Sequence, residues 1–217
     1  YRFENNEDDE SGNYDGTGTE IQYAAGRYGQ AASFGSNSKV QLPSGSPFND
    51  SDTIKSISAW VKADTTSSRV YPFSIGSSTI EDDFFNFGWI PANNYILLFI
   101  RDGSSSNQAS HSAPLTADTE WHHIVVQTTG SAVQIFIDGE SKSVTSSYSG
   151  TGSSSSWISY PSYGGSVIGN IGVNAALNPV YSNGKIDQVR FFNKALSAAE
   201  VTTLYNENSL VASYRFE

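Results

Sequence analysis

Almost every apolar segment of this 217-residue chain is short and stops at a turn signal. Such a pattern suits strands and leaves little room for helices. Thr53–Lys62 alternates, with Ile57, Ala59 and Val61 on the face predicted to enter a core and Trp60 on the opposite face. Tyr95–Arg101 is a continuous apolar run closed by Asp102-Gly103. Trp121–Thr129 and Ala132–Asp138 form the next two strands, and the second ends at Asp138-Gly139. Asp-Gly is favoured in tight hairpins because both central residues take positive φ. Further strands are predicted at Lys39–Leu42, Tyr71–Ile75, Phe84–Trp89, Lys142–Ser146, Ser166–Gly169 and Lys185–Asn193. Ser104–Gln108 and Ser146–Gly165 read as loops.

One helix stands out against this background. Ser197-Ala198-Ala199-Glu200 is a capping box: the Ser oxygen takes an early amide and the Glu reaches back to the cap. Leu196 before it and Val201 within it suit a hydrophobic staple, and the helix is predicted to run to about Asn206. Many strands and one late helix specify an all-β fold: a two-sheet antiparallel β-sandwich, a jelly roll, with one short C-terminal helix.

The chain has no Cys, which excludes disulfides, thiolate metal sites and thiol nucleophiles. It also has no Met, as expected of an excised or processed segment. With 22 acidic against 12 basic residues the formal charge is −10, which argues against nucleic acid as a partner. No apolar run reaches membrane-spanning length, so no membrane insertion is expected.

Four segments together resemble one known family. They are Asp9-Glu10-Ser11-Gly12-Asn13 with Asp15-Gly16-Thr17; Ile57-Ser58-Ala59-Trp60-Val61-Lys62; the Trp121–Val125 and Ile135–Gly139 pair; and Gly184–Ser197. In this order they resemble the laminin-G-like jelly-roll domains of the concanavalin A-like lectin/glucanase superfamily. The resemblance implies two stacked antiparallel sheets, one convex and one concave. It also implies either a glycoside hydrolase or a non-catalytic binding module. Hydrolases of the laminarinase type carry acids as E-x-D-x-E on one strand, so that two carboxyls face each other across the scissile bond. Here Glu7-x-Asp9 is followed by Ser11 and Glu81-x-Asp83 by Phe85, so neither completes the triplet. His122 and His123 are adjacent and point to opposite faces of a strand, so they cannot share a metal from there.

Two candidate sites remain. Glu4–Glu10 is strongly acidic, and the turn Asp9–Asn13 offers hard oxygens of the kind Ca²⁺ takes. By the family resemblance, Asp187 on the closing strand adds a carboxylate. The expected site is therefore a structural Ca²⁺ held by Asp9, Asn13 and Asp187. Trp157, Tyr160 and Tyr163 lie in a Ser/Gly-rich loop, where exposed rings would stack on the C–H faces of a sugar. The competing reading packs these rings onto the sandwich edge.

The chain ends as it begins. Tyr1-Arg2-Phe3-Glu4 returns as Tyr214-Arg215-Phe216-Glu217, preceded by Ser209-Leu210-Val211-Ala212-Ser213. The lead-in alternates as a strand does. Residues 1–208 are read as the sandwich, and 209–217 as the first strand of a following repeat or a donor strand. The expected function is a non-catalytic extracellular carbohydrate-binding or adhesion module, one repeat of a larger cell-surface or virion-surface protein. Its expected partner is a glycan or glycosylated surface. The alternatives are a self-associating structural repeat whose partner is a neighbouring copy, and a degenerate glycoside hydrolase.

Overall fold

A computed structural model describes residues 1–45, 47, 53–159, 161, 163, 167–175 and 179–207. These form two antiparallel sheets. The front sheet has the order β1 (Thr17–Thr19), β4 (Lys39–Gln41), β14 (Val167–Ile171), β6 (Val70–Ser77), β7 (Phe84–Ile90), β8 (Tyr95–Arg101), β9 (Gln108–Pro114) and β13 (Thr145–Ser149). The back sheet has the order β12 (Glu140–Lys142), β11 (Val133–Ile137), β10 (His122–Thr128), β5 (Ser56–Ala63), β15 (Gly184–Phe192), β3 (Gln30–Phe34) and β2 (Gln22–Ala25). The all-β sandwich expected from the sequence is the observed fold.

Alternation builds the core between the sheets. Ile57, Ala59 and Val61 of β5 enter it, as do Ile96, Leu98 and Ile100 of β8, Phe85, Phe87 and Trp89 of β7, and Ile124 and Val126 of β10. Leu97 and Phe99 are the half-buried outward residues of β8. The Asp138-Gly139 hairpin has φ of 52° and 83° at its two residues, as a tight turn requires. Asp138 does more than turn. Its Oδ1 accepts the His123 amide at 2.9 Å, and its Oδ2 lies 2.8 Å from His122 Nδ1. Asp102-Gly103 behaves differently: Gly103 has a positive φ, Asp102 does not, and β8 joins β9 through a longer loop closed by Asp102 N–H donating to the Asn107 carbonyl.

β15 contains a bulge. In a regular strand Ile186 and Val189, an odd number apart, would face opposite sides. The register shifts between Asp187 and Arg190, and Gln188 adopts φ of 52°. The extra residue lets both Ile186 and Val189 enter the core.

The outer face of the back sheet is covered as well. Helix α1 (Ala198–Asn206) packs Leu196 and Val201 on Val125 and Phe136. Its capping box is formed: Glu200 N–H donates to Ser197 Oγ and Ser197 N–H to Glu200 Oε2. Gln127 fixes its approach. Gln127 Oε1 accepts the Leu196 amide at 2.8 Å, and Gln127 Nε2 donates to the Leu196 carbonyl at 3.0 Å. Trp60, on the face away from the core, is nevertheless buried. Tyr205 stacks on it at 5.6 Å, Tyr28 meets it edge-on at 5.8 Å, and the Arg27 guanidinium sits 4.6 Å from its ring centroid.

Candidate functional site

With α1 over the back sheet, the outer face of the front sheet is the broad surface left to meet a ligand. Because Phe73, Ile75, Phe85 and Phe87 enter the core, Ser74, Gly76, Phe84 and Asn86 point the other way. The chain following β14 lies across this face. Ser74 Oγ donates to the Val173 carbonyl at 2.7 Å, and Asn86 Oδ1 accepts the Ala175 amide at 2.7 Å. Val173 bridges to Tyr181, and Asn174 Oδ1 accepts the Val180 amide at 2.7 Å. Gly76 permits the close approach, since a Cβ there would stand 2.9 Å from the Ala175 Cβ.

A cleft of about 230 Å³ opens beside this cover, lined by Lys39, Ser77, Asn170, Asn174 and Tyr181 among others. Its notable group is Asn170. The residue is 7% exposed, and its Oδ1 has no hydrogen-bond partner. A buried acceptor left unmade costs about 1–3 kcal/mol, and a hydroxyl or N–H entering the cleft would recover it. Gly76 lines the cleft and is the register partner of Phe84. Beside Phe84 lies Phe99, ring centroids 5.5 Å apart, with the Arg101 guanidinium 4.9 Å from the Phe99 centroid and paired to Asp82. One face thus carries a polar cleft next to an aromatic and cationic cluster. Sequence reading missed it because its residues come from β4, β6, β7, β8, β14 and the connection after β14, and no local motif marks them.

Trp157 and Tyr163 are not exposed as a stacking platform requires. Trp157 is 2% exposed: its Nε1 donates to the Ile54 carbonyl at 2.7 Å and its ring meets Phe85 edge-on at 5.1 Å. Tyr163 is also buried in the main core. The Ser153–Ser156 turn carries the chain inward, and the rings plug the open end between the sheets because burial of so much apolar area outweighs exposure. Tyr160 lies outside the described residues, as do Ser166 and the tail 209–217.

The expected metal ligands are separated in role. Asp9 Oδ2 accepts the Ser11 amide at 3.2 Å, the Ser11 hydroxyl, and the Asn13 amide at 3.4 Å, so this carboxylate closes its own turn. Asn13 Nδ2 donates back to the Ser11 carbonyl at 3.1 Å. Among the described residues, no three or more His, Asp or Glu side chains form a group that could hold a metal ion. Asp187 stands apart from that turn's bonding. It is fully buried on the face shared with Trp60, and its Oδ2 accepts the Tyr28 amide at 3.0 Å. Its Oδ1 has no partner. Burial above all pushes its carboxyl up to about 6, backbone hydrogen bonds opposing and the Glu4 charge adding. Glu4, which sequence reading did not assign to the site, accepts the Gln30 amide at 3.1 Å. Glycines make room for both acids: a Cβ at Gly26 would lie 2.8 Å from Asp187 Oδ2, and one at Gly29 would overlap the Glu4 carboxylate.

The histidines serve the scaffold. His123 Nε2 lies 2.8 Å from Ser58 Oγ, and burial pushes its pKa down to about 4. His122 is pushed the other way: burial opposes its charge, but Asp138 and Asp118 prevail and raise its pKa. No helix among the described residues is long and apolar enough to cross a membrane.

Comparison with known proteins agrees with this architecture. The Laminin_G_3 family model, described as concanavalin A-like lectin/glucanases superfamily, matches residues 34–202. No curated protein sequence matches. Domain 4 of AbnA, a GH43 extracellular arabinanase from Geobacillus stearothermophilus solved with arabinotriose, superposes with a TM-score of 0.68. The two share 24% identity, over 94% of this chain and 96% of that one. The CBM40 of the Ruminococcus gnavus IT-sialidase gives 0.63 at 14% identity, over 87% and 98%. The binding domain of botulinum neurotoxin serotype D/C gives 0.61 at 12% identity, over 91% and 48%. At these identities the likeness establishes the fold.

Proposed function

This chain belongs to the concanavalin A-like lectin/glucanase superfamily, and we propose that it is a non-catalytic, extracellular carbohydrate-binding module. The observation that carries the reading is the unpartnered Oδ1 of Asn170, a residue lining a cleft on the sheet face that also carries the half-buried Phe99. A sugar offers hydroxyl donors for such an acceptor and C–H faces for aromatic rings. Structures of this fold have been solved with arabinotriose and with α2,3-sialyllactose, which supports glycans as the ligand class. The reading is tested by a glycan array, followed by calorimetric titration of whatever binds, with both of those sugars included. Asn170→Ala is expected to weaken binding about tenfold, equivalent to one hydrogen bond of about 1–1.5 kcal/mol. Because it removes an unsatisfied acceptor, it should not lower the melting temperature. Absence of glycan binding, or full affinity in both Asn170→Ala and Phe99→Ala, refutes the assignment.

A second reading concerns a structural cation. The buried, unpartnered Asp187 Oδ1, with the Glu4 carboxylate close by, favours Ca²⁺ at these two acids around the Gly26–Gln30 turn. This replaces the Asp9 and Asn13 turn expected from sequence. Ca²⁺ bound there would tie the N-terminal segment to β15, and a ligand of the folded state raises stability by mass action. The carboxyl of Asp187 has a raised pKa, so without a cation its charged form costs stability as pH rises through about 6. In EDTA at neutral pH, Asp187→Asn is therefore expected to melt higher than the parent chain. In millimolar Ca²⁺ the order reverses, because only the parent gains. Identical parent melting in EDTA and Ca²⁺ removes the cation from the account.

A further inference from the structure

The cleft beside the chain that follows β14 differs in charge from the protein around it. The chain carries 22 acidic against 12 basic residues, for a formal charge of −10. The described residues that line the cleft include Lys39 and no Asp or Glu. Lys39 is half-buried and stands on the outer face of the front sheet. Its neighbour Val40 enters the core, and so does Ile171, the register partner of Val40. Lys39 and Asn170, each one residue away, therefore share the opposite face.

Other cations of this chain have an acid beside them. Arg101 is paired to Asp82, Lys142 to Glu140, Lys185 to Asp64, Arg190 to Glu207 and Lys194 to Glu200. Among the described residues, no carboxylate forms an ion pair with Lys39. A half-buried ammonium has lost part of its hydration, and its charge acts more strongly there than in bulk water. The polar groups around it are neutral. Asn174 uses its Oδ1 on the Val180 amide, which leaves its NH₂ as the donor it can offer. Ser78 and Tyr181 add hydroxyls to the lining. The volume of about 230 Å³ is below the roughly 300–1,000 Å³ of pockets for drug-sized ligands, and suits one sugar ring rather than several.

We infer that this cleft selects a sugar ring that bears a carboxylate, a uronate or a sialic acid, and that Lys39 is the residue that selects it. The inference rests on the carbohydrate-binding reading and names the class of sugar within it. A neutral ring meets the same hydroxyl and amide groups but brings no charge to offset the ammonium. A carboxylate supplies that charge and accepts a charge-assisted hydrogen bond, roughly twice as strong as a neutral one. Lys39 therefore discriminates by charge, favouring the acid and leaving an uncompensated cation beside a neutral competitor. Lacking the planar fork of Arg, it acts as a point charge, and Ser78, Asn174 and Tyr181 orient the ring.

Calorimetric titration of the full chain with matched sugars tests this. The probes are tri-galacturonate and α2,3-sialyllactose, each beside its methyl ester, which removes the charge and keeps the ring. At least one acid is expected to bind about tenfold more tightly than its ester at low salt, the gain of a hydrogen bond to a charged group. High salt should shrink that preference. Which acid is preferred separates a uronide ligand from a sialoside. Lys39→Gln is expected to bring acid and ester to equal affinity, and Lys39→Arg to keep the preference for the acid. Equal binding of acids and esters by the parent chain, or a preference that survives Lys39→Gln, overturns the inference and leaves the carbohydrate-binding reading standing. Binding of neutral glycans on the array with no binding of either acid does the same. If no glycan binds at all, the carbohydrate-binding reading is refuted and this inference falls with it.

Discussion

Replacing Trp157 by Ala separates a ligand-facing ring from a packed one. The ring is 2% exposed, joins the main core against Phe85, and donates 2.7 Å to the Ile54 carbonyl. Truncating a buried aromatic to Ala costs about 3–5 kcal/mol through lost transfer energy and the cavity left behind. The Ile54 carbonyl loses its donor too, which adds about 1 kcal/mol where water does not replace it. The expected loss is therefore about 4–6 kcal/mol. For a domain of this size each kcal/mol moves the melting temperature by about 2–4 °C, so a fall of about 8–24 °C is expected. Urea titration followed by far-UV circular dichroism measures the free-energy loss, and thermal melting measures the fall in temperature. Trp157→Phe keeps most of the ring and loses the donor, so its loss should lie well below that of Ala. A Trp157→Ala chain within about 1 kcal/mol of the parent, as for a surface substitution, would refute burial of this ring and return it to the surface.

Acid stability should depend on His123. Its folded pKa is lowered to about 4 from 6.5 by burial, so the unfolded chain takes up a proton first and stability falls as pH drops between these values. A His123→Gln chain should lose less stability over this window in pH-dependent urea titrations, and an unchanged slope would refute the assignment. Ser197→Ala removes the capping oxygen that receives the Glu200 amide, and should cost about 1 kcal/mol by thermal melting.

Much of the fold was legible because it rests on local chemistry. Ser197 and Glu200 carry their capping geometry within one turn of helix, and the alternation of Ile57, Ala59 and Val61 needs only a two-sided strand. Asp138-Gly139 specifies its turn by itself. Other strands left no such trace. In β9, Ala109, His111 and Ala113 are the inward residues, too small or too polar to read as an apolar stripe. β1, β2 and β3 are short, and they owe their place to partners: β4 for β1, and β15 for β3.

The candidate sites divide along the same line. Sequence alone determined that this is a β-sandwich with one capped helix, because turn residues, alternation and capping act over a few residues. Whether a ring is exposed, and which acids are neighbours, depends on which surfaces meet. Trp60 looked like an outward residue and is buried because α1 and the Arg27-Tyr28 turn close over it. Trp157 looked like a loop platform and is buried because the sandwich is open at its end. Asp187 was matched with Asp9 in sequence, yet in the fold its electrostatic neighbour across the Gly26–Gln30 turn is Glu4. The Asn170 cleft brings together residues far apart in the chain, and only the packing of one sheet face against its covering segment could assemble it.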